Sequence, residues 1–428
     1  MPSRVEGDQL SKLQALLSAI SKTNPFYAQK LHGVEISSLD KFFARIPFTH
    51  KQELIEDQLA HPPYGSNLTY PLERYTRIWQ TSSTTGNPLY WLDTPESLQW
   101  MLDNWTRVYQ SAGVGASDRI FFAFSFGLFL GFWTAFESAT RLGAMCIPGG
   151  GMSSAARLRT ILRTAATVLC CTPTYALRLA EAAAEERVDL SSSEVRRIIV
   201  AGEAGGSIAG VRARVEAAWP GARVVDHHGM TETGPVSYGC SAQPGVLHVI
   251  ESAYIAEVIH PGTGQAVAYG DTGELVLTNL GRTGSPLLRY RTGDLVRRGA
   301  RGPCQCGSED LSLPGGILGR ADDMVVVRGV NVFPSALENI LLASGQVAEY
   351  RVEVDSGRHL AELRVEVEPT PDCRDGAALA QRLEAELHTL LGLRIPVSPA
   401  PCGRLPRFEM KARRWVRPDT IGSLSKGS

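Results

Sequence analysis

Apolar residues recur at helical spacing near the start of the chain (Leu10, Leu13, Leu16, Leu17, Ile20) and stop at Asn24-Pro25, which predicts a helical segment over 4–31 broken there. Segment 48–70, rich in Pro, Tyr and His, reads as connecting structure. Two short strands flank the loop in RIWQTSSTTGNPLYWLD, and Leu98, Met101, Leu102, Trp105 and Val108 then place a helix over 96–113. From 119 to 229 short apolar runs (IFFAFSF, AMCIP, VLCCTP, RRIIVAGE, ARVVDHHG) alternate with helical stretches. Such alternation predicts a largely parallel sheet whose ligands gather at the C-terminal strand ends. After Gly245 the period changes to two, with Gly turns, as in antiparallel strands of a small barrel or distorted sheet. Beyond Asp322 a β-α-β-β-α-β pattern predicts a separate α+β unit, with MVVVRG as its first strand and WVRP as its last.

Composition narrows the class. The chain has 428 residues, 43% hydrophobic and 20% charged, with a net charge of −1. That length allows two or three domains, and the balance is that of a soluble globular protein with no charge-based reason to bind nucleic acid or a membrane. No apolar run approaches a membrane span and the first residues lack the apolar core of a signal peptide, so the expectation is a cytoplasmic enzyme. A homodimer is left open. The eight cysteines are too scattered to form a disulfide framework.

Candidate chemistry concentrates in 289–331. A Thr-Gly-Asp turn offers Asp294, whose carboxylate can accept two hydrogen bonds from vicinal hydroxyls. Arg320 can clamp a phosphate or carboxylate in bidentate fashion. Upstream, Ser82, Ser83, Thr84, Thr85 and Gly86 form a hydroxyl-rich loop able to wrap a polyphosphate, although taken alone it reads first as a polar hairpin turn. No Gly-Lys-Ser/Thr follows, so it is not a Walker loop.

In their order, TSSTTGNP (81–88), HHGMTETGP (227–235), GELVLTNL (273–280), RYRTGDL (289–295), GRADDMVVVRGVNVFPSALE (319–338) and Lys411 resemble the adenylate-forming superfamily of acyl-CoA synthetases, adenylation domains and luciferases. FSFGLFLG, CTPTYALRLAE and RGVNVFPSALE are most similar to the phenylacetate–CoA ligase branch. The fold this resemblance implies is α/β: a large N-terminal domain (1–321) of mostly parallel sheets with helices and a β subdomain over about 245–318, and a small mobile α+β domain (322–428). The implied reaction has two steps. A carboxylate attacks the α-phosphate of ATP to give acyl-AMP, and a thiol, usually that of CoA, then takes the acyl group. Lys411 would supply positive charge in the first step, Glu232 would hold Mg²⁺, Asp294 would take the ribose hydroxyls, and Arg320 the ribose–phosphate region. Gly202, Glu203 and Ala204, with Asp226, His227, His228, Gly229, Met230 and Thr231, would frame the nucleotide, and Asp322 would be the hinge. Two positions depart from the family: Ser83 stands where Gly is usual, and His228 where Tyr is usual.

Cys240, His248, Cys304 and Cys306 could close a structural Zn²⁺ site, although Cys-x-Cys is tighter than finger spacing and buried free thiols are the alternative reading. Some phenylacetate–CoA ligase relatives carry zinc at a similar constellation. Seven of the thirteen Phe lie between Phe121 and Phe136. The resemblance puts the acid-binding pocket there, beside Phe126, Phe132, Gly149, Gly150, Gly151 and His227. No Asp stands there to hold an α-ammonium group, which favours a small aromatic carboxylic acid, with a medium aliphatic acid second. A carrier-protein thiol or an amine could replace CoA as acceptor, and a non-catalytic nucleotide or acyl sensor is the reading from a different class.

Overall fold

Alternate residues of the apolar runs face opposite ways, and this builds two cores from one sheet. Phe121, Leu169, Cys171, Ile198 and Val200 enter one hydrophobic cluster, while Ile120, Phe122, Val168, Cys170 and Ile199 enter another. Burying each such Phe or Leu contributes about 1.5–3 kcal/mol. The computed structural model describes residues 4–81, 88–300, 302–321, 325–327, 330–355, 362–408 and 412–416. Its central sheet is parallel, in the order Met145–Pro148, Arg119–Phe122, Val168–Cys171, Arg197–Val200, Arg223–Asp226. The connecting helices are punctuated as the sequence dictates. Thr172 caps Pro173–Glu185 by accepting from the Tyr175 N–H, with Pro173 in the first turn, and Gly143 ends Trp133–Leu142 at φ +88°. All five strands point their C-terminal ends at one edge, where 123–133, 149–151, 201–204 and 227–229 emerge.

Antiparallel structure follows. Tyr254–Ile259, Thr272–Asn279, Tyr290–Arg297 and Ile317–Arg320 form a four-stranded sheet in that order, and Ser237–Gly239, Val246–Val249 and Ser312–Pro314 form a three-stranded one. Antiparallel pairing therefore begins ahead of Gly245. The C-terminal unit holds a four-stranded sheet in the order Val397–Pro399, Glu362–Pro369, Val347–Asp355, Trp415–Val416, covered by Pro334–Ala343 and Gly376–Leu391. The fold is thus α/β, with the parallel sheet in the larger part.

Three elements differ from the sequence reading. Segment 48–70 contains a helix, Lys51–Ala60, whose Glu53 side chain accepts from the His50 N–H in the manner of a capping box. Among the described residues the apolar strand after Asp322, Val325–Val327, pairs with Val330–Val332 alone, as a separate two-stranded sheet. Its place in the small sheet is taken by Val397–Pro399, too short and Pro-flanked to show a period. Among the described residues no helix is long and apolar enough to cross a membrane.

Candidate active site

Glu232 lies in the turn between two-residue strands Gly229–Met230 and Gly234–Pro235. Arg282, fully buried, donates through Nη1 to the carbonyls of Thr231 (2.7 Å) and Glu232 (2.9 Å). Its Nε and Nη2 chelate Asp93, also fully buried, at 2.7 Å each. The Tyr254 hydroxyl donates to the Thr233 carbonyl at 2.7 Å, and Gly234 turns the chain at φ +86°. The backbone is thereby fixed and the Glu232 carboxylate, on a residue only 5% exposed, is aimed rather than free. It accepts from Lys51 Nζ at 3.1 Å. Tyr290, fully buried, feels this carboxylate as well as Arg320 and Asp294, and its phenol is pushed far up, first by burial and then by the charge of Glu232.

Asp294 sits on strand Tyr290–Arg297, paired in register with Arg320 on Ile317–Arg320. Arg320 Nη1 approaches Asp294 Oδ1 at 3.4 Å and His228 Nε2 donates to Oδ2 at 3.0 Å. Gly293, at φ +76°, lets Arg320 in, since a Cβ there would stand 2.7 Å from Nη2. His228 therefore meets the ribose-binding candidate directly, and its buried Nδ1 has no hydrogen-bond partner among the described residues. Alongside, Asp226 at the end of Arg223–Asp226 accepts from the Ser207 hydroxyl (2.5 Å) and the His227 N–H (3.0 Å), and burial raises its pKa. Gly202, Glu203 and Ala204 follow the neighbouring strand. The Glu203 carboxylate accepts from the N–H of Thr174 (2.8 Å) and of Ala412 (2.9 Å).

The predicted acid-pocket residues form one aromatic chain. Phe126 packs edge-on to Phe124, Phe124 edge-on to Phe132, Phe132 against Trp105, and Trp105 stands 4.2 Å from the His227 ring. Gly150 adjoins Phe126, since a Cβ on it would lie 3.5 Å from that ring, and Gly149 fits where a Cβ would strike Phe121 and the Phe122 carbonyl. Gly151, at φ +72°, completes the turn. His227 Nδ1 donates to the Ser237 carbonyl at 2.6 Å, which leaves Nε2 as an acceptor. Burial holds this histidine neutral, its pKa lowered to about 3.

Beside the three-stranded sheet, Cys240, His248, Cys304 and Cys306 bring their ligand atoms within 4.8 Å of one another. Cys240 and Cys304 sulfurs are 3.6 Å apart, and Cys306 Sγ is 3.5 Å from His248 Nε2. Two thiolates on one tetrahedral zinc stand about 3.8 Å apart, so the set fits such an ion. His248 Nδ1 donates to the Asp310 carbonyl at 3.1 Å, which turns its Nε2 lone pair to the cluster.

Ser82, Ser83, Thr84, Thr85, Gly86, Asp322 and Lys411 lie outside the described residues. Sequence reasoning missed Lys51, Asp93, Arg282 and Phe124, and placed Trp105 only on a helix face. For the helix that carries Lys51 a signal existed in the Glu three residues after His50, and for Phe124 in the Phe-rich run 121–136; for Asp93 and Arg282 none did.

Comparison with known proteins adds the following. The family model for AMP-binding enzymes matches residues 74–281, and that for the AMP-binding enzyme C-terminal domain matches 329–417. The phenylacetate–coenzyme A ligase of Thermus thermophilus is 30% identical, over 94% of this chain and 93% of its own length. The Escherichia coli phenylacetate–coenzyme A ligase is 30% identical, over 95% and 93%. Among solved structures, 2-hydroxyisobutyryl-CoA ligase in its postadenylation state matches with a TM-score of 0.91 at 29% identity, covering 97% of this chain and 90% of that one. The same ligase in its thioesterification state, with acyl-AMP and CoA, matches at 0.72 and 30% identity, over 99% and 92%. With identity and coverage nearly equal, the chain superposes better on the postadenylation structure than on the thioesterification one.

Proposed function

The chain belongs to the AMP-binding enzymes, in the phenylacetate–coenzyme A ligase family, and from that premise we propose that it activates a small aromatic carboxylic acid with ATP and passes it to CoA. The observation that carries the substrate class is the aromatic chain from Phe126 to His227, at the sheet edge where the nucleotide candidates also lie. The residues divide the work by chemistry. Glu232, with its turn locked by Arg282, would hold Mg²⁺, which shields phosphate charge when bound. Lys51, 3.1 Å from that carboxylate, adds a cation on the phosphate side. Asp294 would accept from the ribose hydroxyls, kept in place by His228 and Arg320, and the turns at 202–204 and 226–231 would frame the base. Ser82 to Gly86 would wrap the pyrophosphate and Lys411 would face the α-phosphate, while Asp322 would let the C-terminal unit turn between half-reactions.

The domain limits expected from sequence, 1–321 and 322–428, are part of this reading. So is a structural zinc at Cys240, His248, Cys304 and Cys306, which would pin the 302–311 loop to the three-stranded sheet. The neutral acceptor His227 Nε2 favours an acid carrying a ring hydroxyl or amino group. It also supports a second reading, a short hydroxy acid, in keeping with the 2-hydroxyisobutyryl ligase match. Pyrophosphate exchange against a panel of aryl, arylacetic and short hydroxy acids, then repeated with CoA, tests both. Exchange with aromatic acids and CoA-dependent turnover are expected. Exchange confined to aliphatic acids overturns the aromatic assignment, and exchange without thioester formation overturns CoA as acceptor.

A further inference from the structure

Residues 236–240 run from the histidine pair to the Cys–His cluster. At one end His227 Nδ1 donates to the Ser237 carbonyl at 2.6 Å, and the His228 N–H to Ser237 Oγ at 3.1 Å. The N–H groups of Val236 and Ser237 both reach the His228 carbonyl, at 3.0 and 3.1 Å. At the other end Cys240 joins the cluster. Between them stands Tyr238, only 2% exposed, whose register partner is His248. Its hydroxyl donates to Asp310 Oδ2 at 2.7 Å and accepts from Ser308 Oγ at 2.7 Å and Arg107 Nη2 at 3.2 Å. Its ring lies 5.4 Å from that of His248, tilted by 30°. One phenol thus ties the strand to the 302–311 loop and to helix Pro95–Ser111, which also carries Trp105.

We propose that Tyr238 is a positioning residue: by fixing its strand against the 302–311 loop, it sets the pose of His227 and so the affinity for the acid. This rests on the acid pocket proposed above. The Ser237 carbonyl decides which ring nitrogen of His227 carries the proton and where the Nε2 lone pair points. A binding group must be held within about 0.5 Å of its working place by the residues behind it. Gly239 shows how closely the strand is seated, since a Cβ there would stand 3.1 Å from the Asp226 carbonyl, one residue before His227. An apolar side chain at 238 would fill the same space. Instead a hydroxyl, a carboxylate and a guanidinium gather around a buried ring. A buried polar network with every member satisfied specifies one arrangement, and it loosens when a member is lost. The charge of Asp310 makes its bond the strongest of the three.

The test compares Tyr238→Phe and Ser308→Ala with the wild type. Phe keeps the ring beside His248 but loses all three hydroxyl bonds; Ala at 308 removes only one. In Tyr238→Phe the acid KM in pyrophosphate exchange should rise about tenfold, the order expected for losing a hydrogen bond to a charged group, with kcat within about twofold. Ser308→Ala should shift KM the same way by less. A merely structural role would lower the melting temperature without this split. The pose is also read without turnover, from ¹⁵N-histidine spectra in which the Nδ1–H of His227 is identified by its loss in His227→Gln. That proton should exchange slowly in the wild type and about tenfold faster in Tyr238→Phe, as its bond to Ser237 opens more often. An unchanged acid KM, a loss confined to kcat, or an unchanged His227 signal overturns the proposal. Should Tyr238→Phe fail to fold, Ser308→Ala decides on the same criteria. A wild type without exchange for any acid would overturn the activity instead, and the spectra would then decide the coupling.

Discussion

An imidazole enclosed by Trp105 and neighbouring aromatic rings resists protonation, because the charged form would lose its water without gaining a counter-ion. His227, 5% exposed, is held to a pKa of about 3 against an ordinary value of 6.5. The folded value lies below the unfolded one, so between the two the unfolded chain binds the extra proton. The stabilisation is therefore complete above about 6.5 and is lost as pH falls toward 3. Between pH 8 and pH 5 the wild type should lose about 2 kcal/mol more stability than His227→Gln, measured by denaturant unfolding. Parallel pH curves would refute it. At the other end of the aromatic chain, Phe126→Ala should weaken acid binding at least several-fold while ATP binding holds; equal losses would place the pocket elsewhere. Asp294, Arg320 and Glu232 could be singled out as candidates in sequence because each sits in a short motif whose neighbours shape it locally, as Gly293 does for Arg320. Asp93 and Arg282 were not, because they are 189 residues apart and neither has a local signature. Their fully buried pairing exists only once the fold is formed.

At the scale of elements, the parallel strands were legible because a strand buried on both faces is a continuous apolar run. The helix Lys51–Ala60 was hidden by its composition: of its residues only Leu54 is buried, so the apolar stripe is thin. The strand Val397–Pro399 owes its existence to pairing with Glu362–Pro369 and has no period of its own. The zinc candidates lay between these cases, with ligand types visible but their convergence dependent on the pairing of Ser237–Gly239 with Val246–Val249. Because four protein ligands leave no open position, metal there would tie elements together and take no part in the chemistry. Protein purified without chelator should contain one zinc per chain by metal analysis, and Cys304→Ser should lower the melting temperature more than the rate of acyl-AMP formation. Substoichiometric zinc, or a variant as stable as the wild type, would remove the assignment.

The proposed reaction would require one lysine to be near the phosphates for the first half-reaction and away from them for the second. The basic run around Lys411 is not a merely solvated face. Arg407 donates to the buried Glu368 at 2.6 Å, and Arg414 is paired with Glu349 at 2.5 Å and Glu338 at 3.2 Å, so its neighbours are committed to holding the C-terminal unit together. Lys411→Ala should therefore leave the fold intact and slow acyl-AMP formation by about 10²–10³, the usual loss for one preorganised electrostatic partner. Transfer from supplied acyl-AMP to CoA should persist, because no phosphoryl charge builds up there in that step. Asp322→Pro should act differently, fixing φ at the proposed hinge and so hampering one arrangement more than the other. Measuring both half-reactions on both variants decides the matter. If Lys411→Ala slows transfer as much as adenylation, the lysine is not the residue that separates the two steps.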